Sequence, residues 1–543
     1  MIDITSTAFP HLSHEQMQCV ATQAAEEQFA DGQHLFSEGT RDFPFYVVKS
    51  GAVDISESSS GTRNLVTTHE PGAFVGDVDM LTDRPALVTA TARGATAVYT
   101  IPRSKFRRIL IEVPELSEML LEAFQARRKL LEAKGFSGVR LIGTPGAATT
   151  QRMREFFYKN HVPHSLVNAT TEEGAQLLQE YQATADELPV LLCNGHVARN
   201  PNIIEVATCL GISREVNDAI YDLVIVGAGP AGISAAVYGA SEGLRILVID
   251  KIGPGGQAGS SSKIENFMGF PTGISGAELA NRGYLQALKF GAQFTAPVAV
   301  RGIRSEKEGE ILLDLCTGQT AHTRSVLIAS GVTYRQLDLK NGQRFEGSGI
   351  YYSATAIEAA VCRQSTAVVV GGGNSAGQAA MFLADHARNV KLILRSGDLC
   401  KSMSQYLCTR IENHPNIEVI YHSAVTSVDG DQQLKQVTLT NNQDGTTTQF
   451  DCAALFIFIG ARPHTDWLPD SIRLDEKGFV MTGSMLEHDQ LWTPERPPCD
   501  LETTMPGVMA AGDVRAGTTK RCGFAVGEGS LAVSCVHRFL SRL

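Results

Sequence analysis

Apolar residues change their spacing along the chain, and each change predicts a different kind of element. Up to about residue 135 they come in short runs, FSEG, FYVVKSGAVDIS, LVTTHEPGAFVGDVDML and LVTATARGATAVYTIP, with Gly39, Gly51 and Gly72 at the breaks. Such runs with turn residues between them predict the strands of a small β-roll. Helices close it, including a polar helical stretch from Lys105 to Lys134. Residues 138–213 alternate instead: VRLIG as strand, a helix from about Thr149 to Asn160, HSLVN as strand, a helix around Glu172 to Tyr181, PVLLCNG as strand, and a last helix near Ile203 to Leu210. From residue 219 two segments repeat one plan, YDLVIVGAGPAGISAAVYGASEGLRILVID and AVVVGGGNSAGQAAMFLADHARNVKLILRS. Each is an apolar run, a glycine-rich turn, an alanine-rich helix and a second apolar run. Unbroken apolar runs joined through a helix predict parallel strands buried on both faces, so the fold class is α/β.

Length and composition narrow the function classes. At 543 residues the chain has room for three or four domains. Its 43% hydrophobic and 19% charged residues are ordinary for a globular protein, and no apolar run is long enough to span a bilayer. The start, MIDITSTAFPHL, lacks the basic residues of a secretory signal, so the expected location is cytoplasmic. A net charge of -11 argues against a nucleic-acid partner. The eleven cysteines include no C-x-x-C pair and are expected to be reduced and mostly buried. No metal site is expected.

The repeated segments carry the chemistry. In the first, Gly227, Gly229 and Gly232 form G-x-G-x-x-G around Pro230 and Ala231. The first glycine permits the tight turn, the second lets backbone approach a pyrophosphate, and the third allows close helix packing. The following helix start faces the phosphates, and Asp250 at the second strand end can accept from ribose hydroxyls. In the second segment Gly371, Gly373 and Ala376 repeat the fingerprint around Asn374 and Ser375, but the strand ends in Arg395. A carboxylate there repels a 2′-phosphate, whereas Arg395 pairs with one, with Lys401 a second contact. Two Rossmann-like units in one chain indicate a bound flavin dinucleotide and an exchanging nicotinamide, that is, FAD and NADPH.

Longer stretches carry a resemblance. TTMPGVMAAGDVRAG, GPGGQAGSSSKIENFMGFPTGISGAELA and FIFIGARPHTDWL resemble segments of thioredoxin-reductase-like flavoproteins over about 320 residues. The resemblance implies that Asp513 meets the FAD ribitol, and that Gly512, Gly256, Gln257 and Asn266 also serve the flavin, with Glu265 part of the same matching stretch. It further implies an FAD domain in two pieces, 219–340 and 465–543, with an NAD(P) domain at 341–464 inserted between them. A homodimer and a rotating NADP domain belong to the same expectation. Only part of that family's 2′-phosphate motif, HRRxxxR, is present, as LRSGDLCK.

Residues 1–135 resemble the cyclic-nucleotide-binding domain through YVVKSGAVDI and GAFVGDVDML. Asp77 stands where that family carries the ribose-binding Glu, and Ala86 where it carries the phosphate-binding Arg, leaving Arg84 as a substitute. Without a guanidinium at 86 a structural or docking role is favoured, with a cyclic nucleotide as the alternative partner. Residues 138–213, with Pro189 before VLLC, resemble the thioredoxin or glutaredoxin fold, but the loop GTPGAATT holds no cysteine.

The reductase-like part shows the same loss. Its family's C-A-T-C aligns with Ser353-Ala354-Thr355-Ala356, where Thr355 and Glu358 have capping-box spacing. The expected activity is therefore that of an FAD-dependent NAD(P)H oxidoreductase passing electrons to a small-molecule or protein acceptor other than this dithiol. The alternatives are a redox-responsive signalling or scaffold flavoprotein, and a disulfide reductase working through Cys522 or the pair Cys400 and Cys408.

Overall fold

In the computed structural model, residues 4–543 are described except 60–61, 83, 134–137, 194, 214–215, 217–218, 262–263, 265, 308, 346–347, 353, 355, 489–491 and 493. The chain forms two compact units. One comprises Met1–Thr144, Phe156–Glu215 and Leu285–Pro297, the other Pro145–Glu155, Val216–Tyr284 and Val298–Leu543.

In the first unit the glycine-broken runs form an antiparallel sheet around two long strands, β1 (Phe45–Ser59) and β2 (Thr89–Ile101), paired from Phe45↔Ile101 to Ser56↔Thr89. Between them lies the short helix α1 (Asp79–Thr82). The polar stretch expected as one helix is two, α2 (Arg103–Glu112) and α3 (Pro114–Ala133). Pro114 explains the break: it lacks an N–H and disfavours a helical Val113. An aromatic core joins roll and helices, with Phe45 stacked on Phe106 at 4.6 Å and Phe74 edge-on to Phe124.

The alternating region has β3 (Val139–Gly143), α4 (Ala148–Lys159), β4 (Ser165–Asn168), α5 (Glu172–Glu180), β5 (Val190–Cys193), β6 (His196–Arg199) and α6 (Ile203–Cys209), all in the same unit except the first part of α4, because Pro145–Glu155 falls in the other. The sheet order is β6-β5-β3-β4. Strand β6, paired with β5 through His196↔Cys193, escaped the sequence reading because its burial is slight and its pattern polar. One expectation fails here: Cys193 and Cys209 are joined in a disulfide, so the cysteines are not all reduced. Their separation of 16 residues fits no short motif. Only the packing of α6 back onto the sheet brings them together.

In the second unit β7 (Tyr221–Val226), α7 (Pro230–Ser241) and β8 (Ile246–Ile249) form the first repeat. Strand β7 runs parallel to β8 and to β9 (Thr320–Ile328). The second repeat is β10 (Thr366–Val370), α8 (Asn374–Ala384) and β11 (Asn389–Ile393), with β12 (Ala454–Ile457) parallel on the other side of β10. The chain then returns: β13 (Val508–Ala510) pairs in parallel with β9, Val326↔Val508 to Ile328↔Ala510. Finally α9 (Cys522–Leu540) packs on α7, where a Cβ on Gly529 would come within 2.2 Å of the Ala231 carbonyl. Among the described residues no helix is long and apolar enough to cross a membrane.

Candidate dinucleotide sites

Because β7, β8, β9 and β13 run parallel, their carboxyl ends emerge on one edge of the sheet, where open α/β folds place ligands. That edge gathers the turn after Val226, Asp250 after β8, and Gly512-Asp513 after β13. The first turn is tight. A Cβ on Gly227 would lie 2.3 Å from the Ala329 carbonyl oxygen, and one on Gly232 would lie 1.9 Å from that of Gly227. Gly229 differs, because a Cβ there would meet only the Gly256 Cα at 3.8 Å. The helix start above it therefore has free space where a phosphate would sit. Pro230 and Ala231 open α7 with Gly229 as its N-cap.

Asp250 does more local work than expected. Its carboxylate accepts from the N–H groups of Ala228, Ile252 and Gly253, each at 2.8 Å. It thus fastens the glycine turn to the loop after β8, and its remaining lone pairs are what a ribose could use. Gly256 sits against the turn, since a Cβ there would be 2.7 Å from the Gly229 Cα. Gln257 donates through Nε2 to the Val332 carbonyl at 3.2 Å, leaving its amide oxygen as the acceptor.

Asp513 is half-buried and accepts no hydrogen bond from the described residues. Burial raises its carboxyl above the ordinary carboxylate range, with Lys520 opposing the shift and Glu528 adding to it. A buried carboxylate without donors fits a ligand that brings hydroxyls. The residues at this edge therefore fit an FAD: space over a helix start, an acid holding the turn, and an acid wanting donors.

Glu528 escaped the sequence reading. Its carboxylate accepts from Gly512 N–H at 2.7 Å, Arg515 at 2.5 Å and Thr518 at 2.7 Å, tying α9 to the loop that carries Asp513. A charged residue between two glycines inside an apolar helix, GEG, was its available signal. Beside it lies an open cleft of about 540 Å³ lined by Asn266, Arg521, Gly523, Phe524, Gly527, Glu528 and Leu531. Asn266 is thus placed at the cleft, while Glu265 lies outside the described residues. Cys522 begins α9 near this cleft, but burial pushes its thiol up to about 11 and Asp513 adds to the shift. A thiol so raised is a poor nucleophile at neutral pH.

The second site repeats the geometry with different fastenings. A Cβ on Gly371 would lie 2.2 Å from the Phe458 carbonyl, whereas one on Gly373, the N-cap of α8, would meet nothing within 4 Å. Ser375 follows in the first turn of α8 and Ala376 is fully buried beneath it. Asn374 is not free for a ligand through its amide oxygen, which accepts from Ser404 N–H at 2.7 Å, and Ser402 donates to the Gly372 carbonyl at 2.9 Å. Arg395 and Lys401 are both exposed at the strand-end edge. The His422 ring also packs at this edge, since a Cβ on Gly397 would fall 2.5 Å from its Nε2. No local motif pointed to it, because it arrives from the turn after Ile417–Ile420, the strand that pairs with β11.

Ala354, in the segment aligned with C-A-T-C, is buried and forms a parallel bridge with Ser261 of the loop that follows Gln257. Ser353 and Thr355, with the capping box expected there, lie outside the described residues. Cys400 and Cys408 interact with one another, and burial pushes Cys408 up to about 12.

In the β-roll, Arg84 is buried and donates to the Asn160 carbonyl at 2.6 Å. That bond already engages part of the guanidinium offered as a substitute for the arginine missing at 86. Ala86 is buried, and Asp77 accepts from Asp79 N–H and faces Arg128 at 3.4 Å. Burial, then the neighbouring Asp79, raises Asp77 to about 6. Among the described residues no group of three or more His, Cys, Asp or Glu is placed to hold a metal ion.

Comparison with known proteins agrees with this geometry. Residues 221–529 match the family model for pyridine nucleotide-disulphide oxidoreductase, and residues 26–112 that for the cyclic nucleotide-binding domain. The thioredoxin reductase of Treponema pallidum is 32% identical over 324 residues, 60% of this chain and 98% of that protein. A 34.2 kDa protein in the rubredoxin operon of Clostridium pasteurianum is 29% identical over 320 residues, 59% of this chain and 97% of that protein. Among solved structures, the thioredoxin reductase of Lactococcus lactis superposes with a TM-score of 0.53 at 27% identity, covering 60% of this chain and all of that one. That of T. acidophilum gives 0.52 at 30% identity, covering 59% and 98%.

Proposed function

We propose, from the premise that this chain belongs to the pyridine nucleotide-disulphide oxidoreductase family, that it is an NADPH-dependent flavoprotein whose electrons leave without passing through the family's dithiol. The chain is a thioredoxin-reductase-like oxidoreductase using FAD and NADPH, preceded by a cyclic nucleotide-binding domain. When bound, FAD supplies two-electron chemistry between a nicotinamide and an acceptor. The residues of this chain do the holding. Gly229 and the start of α7 admit the pyrophosphate, Asp513 accepts hydroxyl donors, and Glu528 fixes the loop bearing Asp513. At the second site Gly373 and the start of α8 take the phosphates, and Arg395 with Lys401 selects the 2′-phosphate. The cleft lined by Asn266, Arg521 and Phe524 is where a small-molecule or protein acceptor approaches.

The observation that carries the reading is the bridge between Ala354 and Ser261: a segment with no sulfur lies against the flavin-side loop. Alanine and serine cannot cycle electrons, and the raised Cys522 thiol is no substitute. A homodimer and a cytoplasmic location belong to the same reading, and light scattering of the purified protein checks the first. The test is anaerobic turnover of the holoprotein with NADPH against quinones, flavins, iron-sulfur proteins and thioredoxin disulfide. Quinone-type or protein one-electron acceptors should turn over while thioredoxin disulfide stays oxidised. Thioredoxin reduction at a rate matching the best other acceptor would sink the proposal.

A further inference from the structure

We infer that the Cys193–Cys209 disulfide is an exchangeable redox site of the amino-terminal unit, opened by a dithiol that attacks Cys209. The inference is independent of the flavin chemistry, which lies in the other unit.

Its position is the first argument. Strand β5 runs antiparallel to β3, with Val139↔Cys193 at one end and Ile142↔Val190 at the other. The cysteine-free loop after Gly143 therefore leaves the sheet at the end opposite Cys193, roughly 10 Å away over four strand residues. The sulfur pair is not a displaced member of that loop. It is a separate site, built from the end of β5 and the end of α6.

Its asymmetry is the second. Cys193 is 1% exposed, whereas Cys209 is only half-buried at the last residue of a helix whose polar face is open. An incoming thiolate reaches one sulfur and not the other, which is the arrangement exchange requires. The third argument is the company it keeps. The other nine cysteines are free thiols, and Cys19, Cys316, Cys400 and Cys522 are partly exposed. A chain carrying so many unpaired thiols belongs to a reducing environment, where a lone disulfide is catalytic or sensing more often than structural.

The step balances with a dithiol as reductant. One thiolate of the reagent attacks the Cys209 sulfur, forming a mixed disulfide and breaking the Cys193–Cys209 bond, and Cys193 leaves and takes a proton as a buried thiol. The second reagent thiol attacks its own sulfur in the mixed disulfide, releasing Cys209 and closing the reagent's disulfide. Two electrons and two protons pass to the protein. Opening the bond frees the end of α6, and the consequence reaches the β-roll, because Gly211 two residues on packs against Pro85 and Arg41.

The test uses the full-length holoprotein. Acid-quenched protein, denatured and alkylated without reductant, should label nine cysteines and spare 193 and 209. After native incubation with dithiothreitol all eleven should label, with 193 and 209 appearing together. Labelling of all eleven without reductant, or a disulfide that yields only in denaturant, overturns the inference. In Cys193→Ser, native protein treated with 5,5′-dithiobis(2-nitrobenzoate) should form a mixed disulfide at 209, while Cys209→Ser should leave 193 unmodified by the same reagent; the reverse pattern overturns the assignment of the attacked sulfur. Should either variant fail to fold, the wild-type alkylation still decides.

Discussion

The two dinucleotide turns of this chain share a backbone and differ in what fastens them. In the first, Asp250 holds the turn from below through three backbone N–H groups, and α9 closes over α7 with Gly529 against the Ala231 carbonyl. In the second, the strand-end residue Arg395 points to solvent and the turn is held from the side, by Ser402 and by Asn374 with Ser404. The first arrangement, a turn fastened from below with α9 packed on α7, suits a resident cofactor. The second leaves its edge open and suits a nucleotide that comes and goes.

The sharpest way to break this comparison is at the third small position. Gly232→Ala would drive a methyl into the Gly227 carbonyl 1.9 Å away, backbone that cannot yield, whereas the second turn already carries Ala376. The variant should purify colourless, with at least tenfold less flavin per chain by absorbance, and full yellow colour would refute the close packing. Gly229→Ala has room in the protein itself, so it should fold normally by circular dichroism and still lose flavin, because the added methyl competes with the pyrophosphate.

Next in size is the nucleotide preference. Removing a charge-assisted pair costs about 2 kcal/mol, roughly thirtyfold. Arg395→Ala should lower the NADPH to NADH ratio of kcat/KM by about that factor, and an unchanged ratio would shift the role to Lys401 or His422.

A smaller effect is expected at the thiol beside the cleft. With its thiol raised to about 11, Cys522 is almost wholly protonated at neutral pH. Cys522→Ser should keep turnover within twofold, and alkylation of Cys522 in the native protein should accelerate steadily between pH 8 and 10. A fall in turnover of tenfold or more would return this cysteine to the mechanism.

The smallest effect concerns the β-roll. Asp77 has a folded value of about 6, above that of an unfolded aspartate, so the folded state binds the extra proton between about pH 4 and pH 6. Stability from this group is present below that window and lost as pH rises through it. Asp77→Asn keeps the acceptor for Asp79 N–H, so it should remove the pH dependence and gain on the order of 1 kcal/mol at pH 7. A melting curve whose pH dependence matches wild type would remove Asp77 from this role.

Much of this was legible beforehand because it is local. The helices and strands of residues 138–213 fall within a residue or two of their expected bounds, and both glycine turns sit between a strand and a helix as their spacing required. What escaped was partly local and partly long-range. Strand β6 was too polar to read as a strand, and Pro114 divides what the polarity pattern joined. Arg84 was offered as a ligand for a phosphate, and the fold spends it on the Asn160 carbonyl 76 residues away.

By itself the sequence determined the α/β class, the two glycine-rich strand–turn–helix units and the absence of any C-x-x-C pair, since each depends on residue type and spacing over a short stretch. Periodicity and steric freedom act over a few residues, so they can be read along a line. Only the tertiary structure decided which groups are already satisfied and which still seek a partner. It tied Asp250 to its own turn, left Asp513 without a donor among the described residues, fixed Glu528 beneath the loop that carries it, and closed Cys193 onto Cys209 across 16 residues. A polar side chain or a thiol takes its role from what faces it, and chain segments far apart in sequence supply those neighbours only once the sheets and helices have packed.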